Sequence, residues 1–160
     1  MGQFQDKRVV EALVAVLRGQ TPPEDGDLAR AVVGSLREIG DPAALKALET
    51  ALAAERAKPT PDTEGHRFGA GQTYAVYLRR AIANVRFATA ADPVAAFAAL
   101  GDDRRLVDAW VMAKMCGREG LQALFAAADD DVTRTHVLLA LYADGDWSGL
   151  LYEAKHTGGW

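Results

Sequence analysis

GDPAALKAL, residues Gly40–Leu48, is the stretch on which the reading of the fold turns. Pro42 has no backbone N–H to donate and suits the first turn of a helix, where that donor would have no partner anyway. Asp41, just before it, is placed to cap the free N–H groups of the same turn. Gly40 stands where the preceding run, DLARAVVGSLREIG, must stop, and glycine readily enters the left-handed conformation that ends helices. The stretch reads as a helix, a tight turn and a second helix. ADPVAAFAAL (Ala91–Leu100) repeats the pattern with Asp92 as cap and Pro93 as first helical residue, but has Ala91 in place of the glycine.

Working outward, DKRVVEALVAVLRG (Asp6–Gly19) sets Val9, Val10, Leu13, Val16 and Leu17 at helical spacing, with Asp6 as cap and Gly19 as stop. QTPPEDG interrupts it. The next helix should bury Leu28, Val32, Val33, Leu36 and Ile39, and Gly34 inside it should let another backbone come close. Leu45, Leu48 and Leu52 carry the apolar stripe onward. Lys58–Gly71, KPTPDTEGHRFGAG, has no periodicity and reads as an inserted loop of fourteen residues, longer than most connections in compact domains. Helical spacing returns with Tyr74, Tyr77, Leu78, Ile82, Val85 and Phe87. DDRRLVDAWVMAKMCG then reads as one continuous helix through Leu106, Val107, Trp110, Val111 and Met115, stopped by Gly117, with REGLQALFAAA following at once. The last long helix, DDVTRTHVLLALYADG, offers Val132, His136, Val137, Leu139, Leu141 and Tyr142. No segment alternates like a strand, so the chain reads as all-α and, at 160 residues, as a single domain.

The residues just before each second helix are Gly40, Ala91, Gly117 and Gly145, at intervals of 51, 26 and 28 residues. Two helices in about 27 to 30 residues, with one insertion, is the spacing of a stacked helical-pair solenoid. The units resemble HEAT repeats, in the short form found in phycobilin-lyase-like HEAT proteins. Asp27, Leu28 and Arg30 followed by Ile39, Gly40, Asp41 and Pro42 match best. Asp131, Val132 and Arg134 followed by Gly145, Asp146 and Trp147 match next. Asp103, Arg104 and Arg105 with Gly117 and Glu119 are weaker, and the unit ending at Ala91 lacks the glycine. The resemblance implies a short right-handed α-solenoid of about four to five helical pairs, closed by a capping segment at 146–160. It also implies a scaffold or adaptor that binds a protein partner on its concave face. A minority of HEAT proteins act in bilin attachment, iron-linked hydroxylation or alkylated-base recognition, and the fold alone implies none of these.

Chemistry-bearing residues are sparse. His66, His136 and His156 lie far apart with no HxxxH or HExxH spacing, so neither a metal nor another cofactor is expected. Ser35 and Ser148 are the only serines and neither sits in a nucleophile elbow. Cys116, the one cysteine, falls in an apolar run and reads as a small core residue. Glu24, Asp25 and Asp27, Asp102 and Asp103, and Asp129 to Asp131 all cluster at helix starts, where they favour the positive end of the dipole. A net charge of −4 weighs against broad phosphate-backbone binding. Arg79, Arg86 and Arg104 are nonetheless the residues a nucleic-acid surface would use.

The candidates for a protein surface are Arg67, Tyr74, Tyr77, Arg104, Trp110 and Tyr142, of the residue types that concentrate at interface centres. Trp110, at helical spacing, is the one expected to fall in the core. The competing expectation is a small-ligand or lyase-like enzyme with a pocket beside the 58–71 loop, built on Arg67, Tyr77 and a carboxylate. At the end of the sequence, Trp147, Leu150, Leu151 and Tyr152 form a short apolar segment before Trp160, which either caps the fold or anchors a partner. The first residues, MGQFQDKRVV, lack a secretory apolar core and no run is long enough to span a bilayer, so a cytoplasmic protein is expected.

Overall fold

The computed structural model describes residues 7–19, 26–57, 74–128 and 130–143, and all the regular structure among them is helical. The chain divides into two compact units, Met1–Thr89 and Ala90–Trp160. Among the described residues no helix is long and apolar enough to cross a membrane.

The first unit holds α1 (Lys7–Gly19), α2 (Gly26–Ile39), a 3-10 turn (Pro42–Ala44), α3 (Leu45–Ala57) and α4 (Tyr74–Ala88). The joint between α2 and α3 is built as its sequence requires. Gly40 takes φ +68° and its N–H reaches the Leu36 carbonyl at 3.1 Å. Asp41 is extended, and its carboxylate accepts from the Ala43 N–H at 2.8 Å. The two helices leave this turn to pack chiefly on α1 and α4. Their shared core is Val10, Val14, Leu17, Val32, Val33, Leu36, Ala44, Ala47, Leu48, Leu52, Leu78, Ala81, Ile82 and Val85.

Two expectations fail in this unit. On α1 the buried face is Val10, Val14 and Leu17, while Val9 and Val16 are exposed. On α2, Leu28 is exposed and Ala29 is buried instead. Each helix has one broad apolar arc, with Val9 and Val16 or Leu28 at its edge, and spacing alone does not say how far along the arc burial reaches. Gly34 also admits no close neighbour, since a Cβ built there meets nothing within 4 Å. Gly34→Ala should therefore stabilise the unit by about 0.5–1 kcal/mol through helix propensity, read as a raised midpoint in urea. Asp6, the 58–71 loop with His66 and Arg67, and the Glu24–Asp25 cluster lie outside the described residues.

The second unit holds α5 (Pro93–Ala99), a 3-10 segment (Gly101–Leu106), α6 (Ala109–Ala127) and α7 (Asp131–Ala143). Asp92 caps α5, accepting from the N–H groups of Val94 and Ala95 at 3.0 Å each. The long helix expected over DDRRLVDAWVMAKMCG does not run through. Gly101 at φ +53° opens a 3-10 segment, and Val107 and Asp108 are extended, so α6 starts only at Ala109. Asp108 holds the N-cap backbone position, its carbonyl receiving the Val111 and Met112 N–H groups. The stop at Gly117 is present as a kink, with φ +58° and ψ −179°. Both α5 and α7 pack on α6 and on the 3-10 segment. Phe97, Val107, Val111, Met112, Leu121, Leu124, Val137 and Leu141 are buried here.

Candidate functional site: the outer face of α7 and the groove at its head

The capping chemistry of α7 sets the head of the site. Asp130 precedes the helix, and its carboxylate accepts the Thr133 N–H at 2.8 Å and the Thr133 hydroxyl as well. These two bonds lead in holding the Asp130 carboxyl below its usual range, with the Arg104 guanidinium adding to them. The expectation that Asp129 to Asp131 serve a helix start thus resolves to Asp130; Asp129 lies outside the described residues. A depressed carboxyl pKa contributes stability that is full above the unfolded value and is lost as pH falls through the folded one. Acid titration of the wild type should therefore lose this contribution below about pH 4, near the unfolded Asp value. Asp130→Asn should flatten that part of the stability curve, measured by urea unfolding at stepped pH.

Arg104 comes to the same place from the 3-10 segment. Its Nε donates to the Gly101 carbonyl at 3.0 Å, which folds the side chain back over the bend. One terminal nitrogen then lies 4.0 Å from Asp130. The result is a groove of about 300 Å³ lined by Gly101, Asp102, Arg104, Arg105, Asp130, Val132 and Thr133. Two guanidinium groups face two carboxylates in this lining, so the groove is dipolar rather than basic.

Beyond the groove, α7 turns an apolar side outward. Val132, Leu139 and Tyr142 are 51%, 52% and 50% exposed, and Thr135 lies exposed among them. At 100° per residue these four positions fall within one third of the helix circumference. Thr133, Val137, Ala140 and Leu141 occupy the buried side. Helical spacing does not separate the exposed Val132, Leu139 and Tyr142 from the buried Val137 and Leu141. Val137 and Leu141 already supply the core side, and α7 is apolar on the opposite side too. His136 is half-buried, with Nδ1 3.1 Å from the Val132 carbonyl.

The other candidates are dispersed. Trp110, expected in the core, is 43% exposed, because Val111 and Met112 take the buried positions at the start of α6. Tyr74 and Tyr77 are half-buried on α4; burial first, and then the Glu55 charge, raise the Tyr74 hydroxyl pKa. Arg67 and any pocket beside the 58–71 loop lie outside the described residues. Of the basic candidates, Arg86 is held by Glu49 at 2.7 Å, Arg79 is half-buried, and Arg104 faces Asp130. Burial pushes the Cys116 thiol up to about 11, so it stays protonated at neutral pH and is a poor nucleophile.

Sequence reasoning missed two features. Asn84 is fully buried on α4, its amide donating to the Arg80 carbonyl at 2.8 Å. The Arg104–Asp130 approach is a tertiary contact that only the packing of α7 on the 3-10 segment creates. Among the described residues no group of three or more His, Cys, Asp or Glu side chains is placed to hold a metal ion. Comparison with protein-family models, curated proteins and solved structures finds no match to this chain.

Proposed function

We propose that this chain is a non-catalytic, HEAT-like helical-repeat protein of the cytoplasm that binds a protein partner, with α7 as the contact helix. The observation that carries the reading is the outward apolar side of α7, where Val132, Leu139 and Tyr142 each keep about half their surface in water. Clustered exposure of large apolar side chains beside polar groups marks a docking surface more often than isolated exposed residues do. The groove at the head of α7 supplies the polar edge, with Arg104 and Arg105 as donors and Asp102 and Asp130 as acceptors. The recurring joints at Gly40–Pro42 and Asp92–Pro93 support the repeat reading, because each resets the chain direction with the same cap chemistry.

Leu139→Glu tests it. The substitution places a carboxylate at a site already in water, so the helical circular dichroism should be unchanged. Proteins retained from a native lysate by the immobilised wild type should be lost by this variant. Equal retention by both would remove α7 as the contact surface.

A further inference from the structure

Ala143 ends α7, and the sequence continues as DGDWSGLLYEAKHTGGW over 144–160, outside the described residues. Within it Trp147, Leu150, Leu151 and Ala154 stand at the i, i+3, i+4, i+7 spacing of one helical side. At 100° per residue these four fit within one third of a circumference, and Ser148, Glu153, Lys155 and His156 fall outside it. Such a stripe calls for an apolar surface to lie on. Asp144, Gly145 and Asp146 before it are of the types that make turns and start helices, and short connections of this length join antiparallel helices.

We infer that 147–154 turns back along α7 of the same molecule and covers Leu139 and Tyr142; as a control on partner binding, this rests on α7 being the docking surface. At equal rise on both helices, a turn over 144–146 sets Trp147 level with the end of α7 and Leu151 level with Leu139. Ala154 then comes level with His136, so Val132 and the groove beside it stay open.

The shortness of the turn decides between occupants. A segment tethered so closely acts at an effective concentration of about 1 mM, roughly a thousandfold above a second copy or a dilute partner near 1 µM. At equal contact, the tethered segment wins. Segment and surface both belong to the Ala90–Trp160 unit, so the contact asks nothing of the other unit. A partner gains α7 by entering at Val132 and the groove and displacing the segment.

Disulfide trapping in the full chain at about 1 µM, well below the effective concentration of the tether, tests the cover. Cys116→Ala first removes the one native thiol. Leu139→Cys with Leu151→Cys should close within one molecule about tenfold faster than Leu139→Cys with Glu153→Cys, because a disulfide forms only between facing side chains. Both pairs share one tether and differ in the side of the segment, so equal rates mean an undocked segment and overturn the inference. A disulfide joining two molecules overturns it too, since the occupant is then a second copy. Leu150→Glu with Leu151→Glu is the check without new thiols. The fluorescence of added anilinonaphthalene sulfonate should rise severalfold as Leu139 and Tyr142 are uncovered, and an unchanged signal counts against the cover. Trapping involves no partner, so its failure removes the cover alone. Equal lysate retention by wild type and Leu139→Glu removes the partner reading and leaves a trapped cover standing.

Discussion

Leu36→Ala is expected to destabilise the Met1–Thr89 unit by about 3 kcal/mol, within the 2–5 kcal/mol range of buried leucine truncations. Leu36 has no exposed surface and lies in the core shared by α1, α2, α3 and α4. Removing its terminal carbons loses their transfer free energy and leaves a cavity whose walls, fixed on four helices, close only partly. Against a total of about 5–15 kcal/mol for an ordinary domain, that is a large fraction. The readout is amide exchange in α2 and α3, which should quicken roughly hundredfold where exchange requires the unit to open. Leu28→Ala on the same helix is the control, because Leu28 is 50% exposed and should shift little. Equal effects at both positions would mean that the buried side of α2 has been misassigned.

Among the described glycines, Gly117→Ala should be the most damaging substitution, at about 1–3 kcal/mol. A Cβ built at Gly117 meets nothing within 4 Å, so sterics with neighbours play no part. The penalty comes from the backbone itself, since φ +58° with ψ −179° is a region that glycine alone enters freely. Gly34 and Gly117 thus make a matched pair of opposite sign, both with open space and only one with a conformation that needs glycine. The three tryptophans all fall within Ala90–Trp160, so their emission reports on this unit during urea unfolding. An unchanged or raised midpoint for Gly117→Ala would show that α6 runs straight once alanine permits it.

What the sequence made legible was the local chemistry. Asp41, Asp92, Gly40 and Gly117 act through atoms within four residues of themselves, so each could be assigned without knowing what packs nearby. The all-helical class followed from the same signals. Choice of face was less legible, because α1 and α7 carry valine, leucine and alanine around most of their circumference. Val9 and Val10, or Val132 and Val137, differ only in what lies opposite them. The DDRRL segment was misread because its charges and leucine fit helical spacing. Gly101 before it and Asp108 after it, a glycine and a cap residue ahead of an apolar run, were the available signs of a break. The site was legible only in pieces. Arg104 and Tyr142 were named as candidates, but the groove exists because Asp130, distant in the chain, is brought beside Arg104.

The two Asp–Pro joints also make the polypeptide divisible by chemistry alone. Aspartyl-prolyl bonds hydrolyse in dilute acid faster than other peptide bonds, because the side-chain carboxyl attacks its own carbonyl and the prolyl nitrogen leaves readily. In the folded chain the Asp92 carboxylate is engaged by the Val94 and Ala95 N–H groups, and Asp41 by Ala43. Acid loosens these caps, freeing a carboxyl oxygen to attack the backbone carbonyl while a proton from solution goes to the departing prolyl nitrogen. Mild acid should therefore part the chain into 1–41, 42–92 and 93–160, with the second cut within a few residues of the boundary between the two units.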